Sequence, residues 1–141
     1  MSRVFWDAML FIYVLEDDRR FAPVVIRALT RSRQRGDVLF TSYLSLAEAL
    51  VGLPEGSPIA NTLQMTILEM GFTFVAFDQG AVESFRMLRR NFRLKQPDSM
   101  HLACAAAVKT DLFLTGDKQL LKKQLHVPGI HFIADFERPP L

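Results

Sequence analysis

Two rhythms of apolar residues alternate along the chain: short continuous apolar runs, and longer stretches in which apolar positions recur every three or four residues. The first is the pattern of a buried strand, the second that of an amphipathic helix. Arg3-Val4-Phe5-Trp6 predicts a first strand that stops at Asp7, and helical spacing then runs over residues 9–15. Residues 21–35 predict a longer amphipathic helix, with Val24, Val25, Ala28 and Leu29 on its apolar side and Gly36 as its stop. Residues 37–41 predict a second strand and residues 43–52 a helix, after which Pro54, Gly56 and Pro58 punctuate a loop. Ser57 reads as an N-cap ahead of Pro58, opening a helix that carries Ile59, Leu63, Ile67 and Met70 inward and ends at Gly71. Next come a strand over 72–77 and a basic amphipathic helix over 78–92. Gln96-Pro97-Asp98 then opens a nearly all-apolar, central helix over 99–109. The pattern finishes with a strand over 111–115, a short helix over 118–123 and a short strand over 131–134.

Strands that alternate with helices imply a parallel sheet covered on both faces, so the expected fold is a three-layer α/β/α domain with a central parallel sheet. No repeat or linker-like stretch divides the sequence, and 141 residues suit a single domain over 1–141. In open parallel sheets ligands gather outside the carboxyl ends of the strands. Asp7 and Thr115-Gly116-Asp117 fall at such ends.

Composition narrows the chemistry. Cys104 is the single cysteine and lies in an apolar run, which excludes a disulfide scaffold and points to packing; His101, His126 and His131 lack zinc-ligand spacing. The apolar stretch over 4–15 is too short for a membrane span, is interrupted by Asp7 and has no signal-cleavage site, so a cytoplasmic location is expected. A net charge of +2 does not imply a nucleic-acid partner, but the charge is uneven. Arg86, Arg89, Arg90, Arg93 and Lys95 form one cluster with no acid among them, and Arg27, Arg31, Arg33 and Arg35 a second. Solvated helix faces are the ordinary reading of each cluster alone.

Four carboxylates stand out against this background. Leu44, Ala47, Glu48 and Val51 form one i, i+3, i+4, i+7 stripe, which places Glu48 in the middle of an apolar face, where an unpaired charge is costly; the ordinary alternative is that Glu48 lies at the edge of the stripe and reaches water. Asp98 falls in the first turn of a helix, where it complements the helix dipole, and Asp7 and Asp117 sit where N-caps are favoured. If strand ends and helix starts converge on one edge of the sheet, the four acids meet. Two carboxylates about 4 Å apart repel by roughly 4 kcal/mol at an effective dielectric of about 20. A hard divalent cation, Mg²⁺ or Mn²⁺, answers such charge with oxygen ligands alone, and a site of this kind suits phosphodiester hydrolysis. The basic clusters would then neutralise phosphates. Phe85 and Phe92, seven apart on one helix face, would stack on bases if exposed, although core packing is their ordinary reading.

Four segments carry a family resemblance: Val4-Phe5-Trp6-Asp7, Thr41-Ser42-Tyr43-Leu44-Ser45-Leu46-Ala47-Glu48, Pro97-Asp98-Ser99-Met100-His101-Leu102-Ala103 and Phe113-Leu114-Thr115-Gly116-Asp117. In this order and at these separations the chain resembles the PIN-domain ribonucleases, most closely the VapC-type toxins of bacterial toxin–antitoxin pairs. The resemblance implies that Asp7, Glu48, Asp98 and Asp117 are the acidic quartet that binds Mg²⁺ or Mn²⁺, with Thr115 as the hydroxyl beside Asp117. It also implies an endoribonuclease that leaves a 5′-phosphate and a 3′-hydroxyl, an RNA substrate, a cognate antitoxin that occludes the site, and a homodimer. The 12 phenylalanines, more than a core this size obviously needs, point the same way for the dimer. Many members carry Thr-Asn after the first aspartate, where this chain has Ala8-Met9. That departure leaves a second reading, a catalytically weak or inactive interaction module on the same fold. A phosphoacceptor or phosphohydrolase would need paired acids at the first strand end or Asp-x-Asp after it, and Asp7-Ala8-Met9 supplies neither.

Overall fold

Val4, Phe5 and Trp6 are wholly buried, so β1 (Arg3–Trp6) has no solvent face and belongs in the middle of a sheet. The structure, a computed structural model, describes residues 1–140 and places it there. β2 (Val38–Ser42) pairs on one side and β4 (Thr110–Thr115) on the other, with β3 (Thr73–Val75) and β5 (Ile130–Asp135) at the edges. The order is β3-β2-β1-β4-β5 and every pair is parallel. Phe5 lies beside Phe40 and Phe113, which brings the carboxyl ends of the three central strands level.

Seven α-helices connect the strands among the described residues: α1 (Ala8–Leu15), α2 (Ala22–Arg35), α3 (Tyr43–Leu50), α4 (Pro58–Leu68), α5 (Val82–Phe92), α6 (Gln96–Ala107) and α7 (Lys118–Lys122). Alternation along β1 sorts its side chains between two cores. Phe5 packs with Phe40, Leu102 and Phe113 beneath α5 and α6; Val4 and Trp6 pack with Phe11, Val25 and Phe72 beneath α1 and α2. The three-layer expectation therefore holds. Trp6 is fully buried between Phe72 and Phe11, at centroid distances of 4.8 and 5.3 Å, and truncating it would cost about 3–5 kcal/mol.

One glycine has no substitute. Gly129 turns with a φ of +96°, and a Cβ there would meet the Ala106 carbonyl oxygen at 2.6 Å, so β5 can dock on the end of α6 only without a side chain.

Some boundaries differ from the sequence pattern. The helix expected over 78–92 begins as a single 3₁₀ turn, Gln79–Ala81, capped by Asp78, before α5 proper. The third strand shortens to three residues. Ile59, expected to point inward, is 64% exposed, because α4 packs chiefly through Ile67, with Leu63 and Met70 half-buried. Of the 12 phenylalanines, Phe77, Phe92 and Phe132 are the exposed ones, so the core absorbs most of the count that had suggested a dimer. No helix among the described residues is long and apolar enough to cross a membrane.

Candidate active site

The carboxyl edge of the sheet gathers its functional groups through local chain geometry. Asp7 follows β1 directly and caps α1, its Oδ1 accepting the Met9 N–H at 3.0 Å. Thr115 ends β4, fully buried; its hydroxyl donates to the other Asp7 oxygen and accepts the Asp117 N–H at 3.0 Å. Asp117 in turn caps α7, with Oδ1 accepting from Gln119 at 2.9 Å and Leu120 at 3.2 Å. Asp98 stands in the first turn of α6, after Pro97. The cap readings of Asp7 and Asp117 are therefore correct, and they do not compete with a second role. In Asp117 one carboxylate oxygen takes both cap bonds and the other is left over.

Asp7, Glu48, Asp98 and Asp117 all line one cavity of about 190 Å³, together with His101 and an apolar wall that includes Ala8, Met9, Ile12 and Phe113. The polar side chains that Ala8 and Met9 lack are not needed to hold Asp7, whose two oxygens are engaged by Thr115 and by the main chain of Met9.

Glu48 reaches this cavity for a different reason from the one its spacing suggested. The stripe Leu44-Ala47-Glu48-Val51 is not the packed face of α3: Ala47 is exposed and Val51 is 83% exposed. The face turned inward is Ser42-Ser45-Leu46-Ala49, with the two serines buried and Leu46 and Ala49 packed on the core. Polar serines can occupy it because they satisfy one another: Ser42 Oγ accepts the Ser45 N–H at 3.1 Å. Glu48 is carried to the rim, its side chain 38% exposed, and His101 holds it there with Nε2 2.6 Å from Oε1. His101 is itself buried, and its Nδ1 lies 2.9 Å from Ser42 Oγ. In sequence this histidine lacks zinc-ligand spacing and otherwise reads as core; its place three residues after Asp98 gains meaning only once α3 is seen to pack on α6.

Burial pushes the Asp7 carboxyl up to about 6, against the Thr115 hydrogen bond, and Asp98 adds to the rise. Asp98 is raised as well, first by burial and then by the charge of Asp117. Among the described residues no Lys or Arg forms an ion pair with any of the four acids. The donor set consists of hard oxygens with unanswered negative charge, which fits Mg²⁺ or Mn²⁺. No three of these groups stand close enough to enclose an ion among the described residues.

The basic clusters divide between structure and surface. Arg33 donates to the Met70 carbonyl, Arg35 pairs with Asp37, Arg86 with Glu83, and Arg89 donates to the Leu94 carbonyl. Arg90, Arg93 and Lys95 are exposed and make no ion pair among the described residues. Phe85 packs edge-on against Phe77, and Phe92 is exposed at the end of α5, so the two rings do not form a joint stacking surface.

An open parallel sheet with an acid-lined cavity at its carboxyl ends defines the class, an α/β domain with its candidate site where ligands gather in such sheets. Residues 4–124 match the PIN domain family, and the chain belongs to it. Members of that family are generally nucleases that use divalent metals. The fold is similar to that in the crystal structure of VapBC2 from Rickettsia felis bound to a DNA fragment from their promoter. The TM-score is 0.71 at 12% identity, over 94% of this chain and 97% of that one. It is also similar to a toxin–antitoxin complex from Klebsiella pneumoniae, with a TM-score of 0.62 at 22% identity, over 92% of this chain and 95% of that one. No curated protein matches the chain by sequence.

Proposed function

We propose that this chain is a single-domain, metal-dependent endoribonuclease, the toxin of a toxin–antitoxin pair, with Asp7, Glu48, Asp98 and Asp117 as its metal-binding acids. The observation that carries this reading is the convergence of four carboxylates from β1, α3, α6 and the β4–α7 turn on one cavity, with no internal Lys or Arg to pair with them. The family and the two toxin–antitoxin complexes of similar fold support it.

Bound Mg²⁺ or Mn²⁺ would supply an activated water and stabilise the charge that develops at the phosphate. The chain's own residues then have distinct tasks. Thr115 fixes Asp7 and orients the main chain of Asp117, tying two of the acids together through one hydroxyl. Asp98 and Glu48 close the cavity from the side of α6 and α3. The exposed Arg90, Arg93 and Lys95 supply sequence-independent attraction for the RNA backbone. The products carry a 5′-phosphate and a 3′-hydroxyl. The partners in this reading are RNA, a cognate antitoxin and a second copy of the chain, in the cytoplasm.

The test is cleavage of a labelled RNA panel by purified protein with Mg²⁺, with Mn²⁺ and with EDTA. Cleavage that needs the metal supports the reading. A folded protein that neither cleaves nor binds either ion would instead favour an interaction module that has kept the fold.

A further inference from the structure

We infer that His101 is a positioning residue for Glu48, the end of a buried hydrogen-bond chain that runs from Ser45 through Ser42 and His101 to the Glu48 carboxylate. The inference rests on the functional reading above, since it gives Glu48 its orientation toward the cation.

The four acids do not share one means of being held. Asp7 and Asp117 begin helices, so main-chain N–H groups clamp them, while Asp98 stands half-buried in the first turn of α6. Glu48 lies inside α3, where helical hydrogen bonding leaves no main-chain donor for its side chain. Three rotatable bonds and a half-exposed position would otherwise let it swing into water. Something outside α3 has to fix it. His101, from α6, does so at 2.6 Å.

The rest of the chain of bonds holds the ring in place. Ser42 Oγ accepts the Ser45 N–H at 3.1 Å and lies 2.9 Å from His101 Nδ1 and 3.3 Å from Ser45 Oγ. Nε2, which faces a carboxylate oxygen, donates to Glu48 Oε1. Glu48, so held, lines the cavity. The same serine thus caps α3 and, through the imidazole, orients the acid six residues further along that helix.

The experiment compares His101→Asn with His101→Gln. Asparagine reaches only as far as Nδ1 and keeps the Ser42 contact, whereas glutamine places an amide donor near Nε2 and keeps the contact to Glu48. Calorimetric titration with Mn²⁺ alone should show affinity falling on the order of 10–100-fold in His101→Asn, with glutamine restoring most of it. Nitrogen-15 NMR of the metal-free wild type should show Nε2 protonated. An unprotonated Nε2 overturns the inference. So does equal Mn²⁺ affinity in all three proteins, or an equal loss in both variants that follows their melting temperatures. If the wild type binds no Mn²⁺ and cleaves no RNA, the functional reading fails and the positioning role with it. If the wild type does both and His101→Asn does both equally well, only the positioning role fails.

Discussion

At the amino edge of the sheet, aspartates are answered by groups of the fold itself; at the carboxyl edge Lys118 answers Asp135 in the same way, but no Lys or Arg among the described residues pairs with the four acids of the cavity. Asp37, just before β2, has a fully buried side chain that accepts the Ser2 N–H at 2.9 Å and pairs with Arg35 at 2.7 Å. Burial pushes its carboxyl up, but the Ser2 N–H and the Arg35 guanidinium outweigh burial and hold it below the ordinary range. Beside it, Asp111 accepts the Arg3 N–H at 2.8 Å, and the Arg3 guanidinium closes the end of α6 by donating to the Val108 and Lys109 carbonyls. Asp7, at the carboxyl end of β1, is as a whole residue buried more deeply; its partners are a hydroxyl and an N–H, and its carboxyl is pushed up to about 6. Deeper burial is part of the difference. The rest lies in whether the fold supplies the counter-charge, as it does for Asp37 and Asp135, or leaves a cavity for one from outside.

The contrast can be broken at either edge. The largest effect expected is on chemistry: Asp98→Ala should reduce RNA cleavage at least about 100-fold, roughly 2.7 kcal/mol in barrier, with the melting temperature little changed. Single-turnover cleavage beside a thermal melt checks both halves. At the amino edge the effect should fall on stability instead. Asp37→Ala strands Arg35 and the Ser2 N–H and should cost about 3 kcal/mol in urea denaturation, leaving Mn²⁺ binding intact. Because the folded-state carboxyl of Asp37 is depressed, its contribution is present at neutral pH and is lost as pH falls through the lowered value.

Asp7 has the opposite sign. Its folded-state value of about 6 exceeds the ordinary 3.8, so the folded chain holds that proton more tightly than the unfolded chain does. Stability therefore declines as pH rises from about 4 to about 6, and the full penalty is present above that window. Asp7→Asn keeps an N-cap and a partner for Thr115. It should stabilise metal-free protein by ~2–3 kcal/mol at pH 8 and by nothing near pH 4, while abolishing cleavage. Melts across that pH range would show it. The smallest effect belongs to the surface. Arg90→Ala should weaken RNA binding only a few-fold and lower the salt dependence by about one unit of slope, measured by titration at several salt concentrations.

Much of this was legible in the sequence because local rules and global fold agree. A strand buried on both faces has to be apolar throughout, as Val4-Phe5-Trp6 is, and the residue that ends it is free to cap the next helix, as Asp7 does. Asp117 follows the same logic after β4. Glu48 does line the cavity, but not by the route its spacing suggested. Hydropathy favoured Leu44, Ala47 and Val51 as the inward face, but the buried positions are Ser42 and Ser45, whose hydroxyls satisfy each other and His101. Periodicity cannot see a polar face that is internally satisfied. Nor could it find His101, which in an apolar helix reads as core until α3 and α6 are known to touch.

The most direct test of the account is Mn²⁺ titration of metal-free protein by calorimetry, with Asp98→Asn and Asp37→Asn measured alongside the wild type. Saturable binding that is lost in Asp98→Asn and unchanged in Asp37→Asn is the result expected if the carboxyl edge awaits an external cation and the amino edge does not. Absence of binding to the wild type, or equal binding by Asp98→Asn, would contradict it.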